Sequence, residues 1–62
     1  MKLIFKIEEN KYKRIVHDID GTILFESNWE LYCPTYGDQI FIDFENQMKN
    51  LWDITEVEKV NI

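Results

Sequence analysis

Tyr12-Lys13-Arg14-Ile15-Val16-His17-Asp18-Ile19-Asp20-Gly21-Thr22-Ile23-Leu24-Phe25-Glu26 is the stretch whose reading decides the fold. Two β-rich runs, 12–19 and 22–26, flank an Asp-Gly pair. That dipeptide favours a tight hairpin, because its residues tolerate the positive φ angles that the centre of such a turn demands. The chain therefore doubles back at Asp20-Gly21, and the runs on either side lie antiparallel. Toward the N-terminus, Leu3, Phe5 and Ile7 alternate with Lys2, Lys6 and Glu8. This period of two predicts a strand over 2–8 with one apolar face, and Glu9-Asn10-Lys11 turns the chain into the next run.

Toward the C-terminus, Ile23, Phe25, Ser27, Trp29, Leu31 and Cys33 keep alternating with Leu24, Glu26, Asn28, Glu30 and Tyr32. We read one long or bent strand over 22–33, with the odd series inward and a bulge at Ser27-Asn28. An alternative takes Ser27-Asn28-Trp29-Glu30 as a capping box, which would make 28–33 a single helical turn. Pro34 has no ladder donor and ends the pairing, so Thr35-Tyr36-Gly37-Asp38 is a loop. Residues 39–45 alternate again, with Ile40, Ile42 and Phe44 on one face, and 46–50 form a turn. A last strand covers 51–60, with Trp52 and Ile54 inward and a bulge before Val57. The expected fold is all-β: a five-stranded antiparallel meander forming a single domain over 1–62. With no helix to cover the apolar face, the sheet must bend strongly and close into a small barrel.

Composition narrows the function classes. The chain has 62 residues, 45% of them apolar, with two Trp, three Tyr and four Phe, enough for one small core without staples. Its one cysteine, Cys33, cannot form an internal disulfide, which points to a reducing compartment; cytoplasmic placement, in a bacterial host, is the expectation. In Met1-Lys2-Leu3-Ile4-Phe5-Lys6-Ile7-Glu8 a charge breaks the apolar run after three residues, so neither a signal peptide nor a membrane segment is expected there. Residues 1–17 carry Lys2, Lys6, Lys11, Lys13 and Arg14 against Glu8 and Glu9, whereas 18–62 carry ten acids against Lys49 and Lys59. A net charge of −5 argues against direct nucleic-acid binding, which needs a concentrated basic face. It suits a protein partner with a basic surface.

His17-Asp18-Ile19-Asp20-Gly21-Thr22-Ile23 resembles the first motif of the haloacid dehalogenase superfamily of phosphatases. The resemblance implies Asp18 as a phosphorylated nucleophile, Asp20 as general acid and base, and magnesium between them. That family sets its acids at the ends of parallel strands joined by long crossovers. Only fifteen residues separate Thr22 from Asp38, and no lysine between Thr22 and Asp43 can play the phosphate-binding role. The same residues serve a hairpin, so no catalytic residue is assigned, and a metal-dependent phosphotransfer fragment at Asp18 and Asp20 is kept only as the last of three function readings. A calcium loop lacks its ligand set. His17, the only histidine, cannot hold a transition metal alone, and no cofactor is expected.

The segment Pro34-Thr35-Tyr36-Gly37-Asp38-Gln39-Ile40-Phe41-Ile42, with Trp52-Asp53-Ile54-Thr55-Glu56-Val57 after it, resembles SH3-like small barrels of bacteria and phages. This fold-level likeness covers a third to a half of the chain and by itself implies no function. If the alternation holds, Leu24, Tyr32 and Phe41 point outward and form an apolar patch. Glu30, Asp43, Asp53 and Glu56 would give it an acidic surround. The leading expectation is a non-catalytic protein-binding module, monomeric or weakly dimeric, encoded by a phage or mobile element. An acidic DNA-mimicking inhibitor of a nucleic-acid-processing or defence enzyme is the alternative. In both, an unpaired sheet edge can accept a strand from a partner or a second copy.

Overall fold

The structure, a computed structural model, describes residues 1–31 and 39–62. It comprises β1 (Lys2–Glu8), β2 (Lys11–His17), β3 (Ile23–Glu26), β4 (Glu30–Leu31), α1 (Gln39–Leu51) and β5 (Glu56–Asn61). The expected first strand and both early turns are present. β1 pairs antiparallel with β2 from Lys2↔His17 to Glu8↔Lys11, around a turn in which Glu9 takes φ 53°. β2 then pairs antiparallel with β3 across the Asp20-Gly21 corner. The chain is mainly β, as expected.

The rest departs from a meander. β5 lies parallel to β1, from Lys2↔Glu56 to Ile7↔Asn61, so the sheet is mixed, with order β3-β2-β1-β5. It does not close into a barrel. A parallel neighbour demands a crossover connection, and α1 supplies it. The strand expected over 39–45 and the turn over 46–50 are thus one helix. The alternation of Ile40, Ile42 and Phe44 misled: Phe41 and Met48 are the buried residues, Phe44 is partly buried between them, and Ile42 is exposed. Spacings of three, four and seven are those of a helix face. Gln39–Asp43 and Lys49–Glu45 contacts, each four residues apart at 3.0 Å, support its outer side. The helix covers the apolar face that a barrel would otherwise have had to enclose.

The strand expected over 22–33 is broken. Between β3 and β4 the pairing with β2 slips by one residue, since Tyr12 faces Glu30 where the register of Ile15↔Glu26 would place Trp29. Ser27 bridges the slip: its amide donates to the Arg14 carbonyl (2.9 Å), and its Oγ accepts from the Arg14 amide (2.8 Å). The extra residue therefore sits near the bulge anticipated at Ser27-Asn28. Residues 28–31 form no helical turn, and Tyr32, Cys33 and the Pro34 corner lie outside the described residues. The expected final strand shortens to β5, while Trp52 and Ile54 pack against the core from the preceding connection.

Register decides the core. Leu3 and Phe5 of β1 share a face with Tyr12 and Val16 of β2, and Phe41 and Met48 descend on them from α1. Phe41 meets the Phe5 ring edge-on at 5.1 Å and the Tyr12 ring at 6.0 Å. Two cations lie on this same face. The part-buried Arg14 guanidinium stacks 4.1 Å from the Phe44 centroid, a favourable contact where it leaves water, and the Nζ of the exposed Lys59 lies 4.8 Å over Phe41. The opposite face has no second layer among the described residues. There Ile4 faces Ile15, and the half-buried stems of Lys2 and Lys13 flank them, ending in ion pairs with Glu58 (2.8 Å) and Glu26 (2.6 Å).

Candidate functional site

Segment 18–31 runs along one edge of the sheet and starts with a tight corner. The Gly21 amide donates to the Asp18 carbonyl (3.0 Å), and the Asp18 amide donates to the Thr22 carbonyl (2.9 Å). Asp18 Oδ1 accepts from the Ile19 amide (2.7 Å), and Asp20 Oδ1 accepts from the Thr22 amide (3.0 Å). Gly21 adopts φ +88°, the left-handed region that glycine enters without strain. The Asp18–Gly21 hydrogen bond makes Ile19 and Asp20 the central residues of the turn and Gly21 its fourth; neither central residue takes positive φ, so the turn centred on Asp20-Gly21 that the sequence suggests is not the one formed. Four hydrogen bonds thus fix the corner and hold Ile19 out at 99% exposure.

Beyond the corner, a bulge opposite His17 splays Ile23 and Leu24 outward. After the Ser27 bridge, Trp29 and Leu31 also remain exposed, Leu31 at 75%. Five of the eight exposed large apolar side chains among the described residues, Ile19, Ile23, Leu24, Trp29 and Leu31, therefore fall within this one segment. The segment also holds Asp18, Asp20, Glu26 and Glu30 and contains no lysine or arginine. Cations reach it from β2: Lys13 pairs with Glu26 and lies 5.2 Å over the Trp29 ring, and the Arg14 guanidinium comes within 3.9 Å of Glu30. The Tyr12 hydroxyl donates to Glu30 at 2.6 Å. Burial, with that carboxylate as acceptor, pushes the phenol up to about 12. The Thr22 amide holds Asp20 below its ordinary value, and the Lys13 hydrogen bond does the same for Glu26.

The sequence-predicted residues are dispersed. Leu24 and Glu30 lie on this edge, and Tyr32 is outside the described residues. Phe41 is a correction: expected outward, it is 3% exposed at the centre of the core, because 39–51 is helical. Asp43 lies on the exposed side of α1. Asp53 and Glu56 lie at the far edge, where the Met1 amino group donates to the Asp53 carbonyl and Lys2 approaches Glu56. No single acidic surround forms from these four carboxylates. Sequence reasoning missed Ile19, Ile23, Trp29 and Leu31. An apolar residue at a turn position was the available signal for Ile19, whereas the two register slips inverted the other three.

Asp18, for its part, follows directly on β2, a strand whose neighbours on both sides, β1 and β3, are antiparallel. The phosphatase motif needs parallel ones. No helix among the described residues is long and apolar enough to cross a membrane. Comparison with models of protein families, with curated proteins and with solved structures finds no match to this chain.

Proposed function

We propose that this chain is a non-catalytic protein-binding module that docks a partner's basic and apolar surface along the 18–31 edge. The observation that carries the reading is the coincidence on one short segment of most of the exposed apolar side chains with four carboxylates. Apolar side chains and carboxylates strung along one exposed edge suit a docking strip, in which a few desolvated anchors supply most of the affinity. The rim charges steer encounter and select partners of opposite sign. The hydrogen-bonded corner at 18–22 fixes the backbone that carries Ile19, which lowers the backbone entropy to be lost on association. DNA mimicry draws less support, because Glu26, Glu56 and Glu58 are matched by Lys13 and Lys2 and do not form an uninterrupted lattice of negative charge.

The test is a triple variant, Ile19→Asp, Leu24→Asp and Leu31→Asp, compared with Asp43→Lys in affinity co-purification with the tagged chain. All these side chains are exposed, so thermal unfolding should move little. The triple variant should lose the partner recovered by the wild type, and Asp43→Lys should keep it. Equal recovery of that partner by the triple variant refutes the reading.

A further inference from the structure

The edge of the sheet opposite segment 18–31 is β5, and among the described residues no strand pairs with its outer side. Its two faces differ. On the face away from the helix it presents Glu56 and Glu58, whose side chains are 67% and 48% exposed, with Lys2 the one lysine placed against the pair. On the helix face Val57 is partly buried, and the apolar Trp52 and Ile54 pack beside the same core. Lys59, on that face, is exposed, with its Nζ 4.8 Å from the Phe41 ring centroid.

A second copy fits this edge poorly. In a continuous antiparallel sheet, directly opposed residues point to the same face, so β5 can pair with itself only in registers centred on a residue. The two registers that use most of 56–61 are centred on Glu58 and on Lys59, and each sets a charge against its own copy. A different strand, with cations every second residue, meets Glu56 and Glu58 at the same i, i+2 spacing and lays its apolar residues toward Val57 and Ile54.

We infer that β5 is a strand acceptor for an extended segment of alternating basic and apolar residues. This site lies on the opposite edge from the docking patch and stands independently of it. The probe is the capped octapeptide acetyl-(Lys-Val)4-amide, titrated at low salt into the full chain with isotope-labelled amides. Resonances of 56–61 should shift, and amide exchange there should slow. Glu56→Gln with Glu58→Gln should weaken binding about fivefold, as expected for two cross-strand charge pairs. Acetyl-(Glu-Val)4-amide should not bind. The inference is overturned by equal binding of the acidic peptide, by shifts centred on 18–31 in place of β5, by no binding at millimolar peptide, or by a concentration-dependent dimer that β5 mediates.

Discussion

Replacing Phe41 by leucine and, separately, Ile42 by alanine tests the helix directly, because a strand and a helix over 39–51 assign these neighbours opposite places. In the structure Phe41 is 3% exposed and engages two aromatic rings edge-on, whereas Ile42 is 51% exposed. Phe41→Leu forfeits those ring contacts, at about 0.5–1.5 kcal/mol each, and leaves a packing defect of similar size, for about 2–3 kcal/mol altogether. A domain of this length has roughly 3–9 kcal/mol of total stability. The melting temperature should therefore fall by about 10 °C or more, at roughly 4–8 °C per kcal/mol. Ile42→Ala, on a half-exposed helix position where alanine has the better propensity, should cost under about 1 kcal/mol. Urea unfolding followed by tryptophan fluorescence and by far-ultraviolet circular dichroism gives both numbers. If Ile42→Ala proves the costlier, 39–51 pairs as a strand and the architecture described above is wrong.

Tyr12→Phe removes the hydroxyl that donates to Glu30 and should lower stability by about 1.5–3 kcal/mol, as for a hydrogen bond to a charged acceptor. Its pH signature is specific: the folded phenol titrates near 12 against an ordinary 10.0, so its contribution is complete below pH 10 and lost as pH rises through 12. Urea midpoints at pH 8, 10, 11 and 12 should show that alkaline decline in the wild type and a flatter profile in the variant; equal slopes would count against the part-buried Tyr12–Glu30 hydrogen bond. Gly21→Ala should cost about 1–2 kcal/mol through backbone strain alone, since nothing lies within 4 Å of the added Cβ. Gly21→Asn should cost less, because asparagine tolerates the left-handed region, and a neutral Gly21→Ala would refute the corner geometry.

What could be read from the residues follows from which signals are local. β1, β2 and the Asp20-Gly21 corner were legible because an antiparallel strand with one buried face writes its period into consecutive side chains. The helix was not, since Ile40, Ile42 and Phe44 match a period of two while Ile40 and Phe44 also match a helical spacing of four. The polar outer face at Asn46, Gln47, Lys49 and Asn50 then read as a turn. The partner of β5 was illegible in principle: nothing local to 56–61 distinguishes a parallel neighbour from an antiparallel one. At the candidate site Leu24 and Glu30 were found, but the odd-numbered series was kept inward across Leu24 and on both sides of the Ser27-Asn28 bulge, which assigned Ile23, Trp29 and Leu31 to the wrong face.

The pairing of β1 with β5 also sets an order of assembly. Turn closure can bring β1 and β2 together on the microsecond timescale of an isolated hairpin. The other flank of the same strand waits for a segment 54 positions along the chain, Lys2 with Glu56. Such distant closure slows the search. Until it happens, the strand that ends in the middle of the sheet has a raw margin, bearing Leu3, Phe5 and Ile7 within reach of other chains. The hazard of aggregation is therefore concentrated in the interval before the last strand arrives.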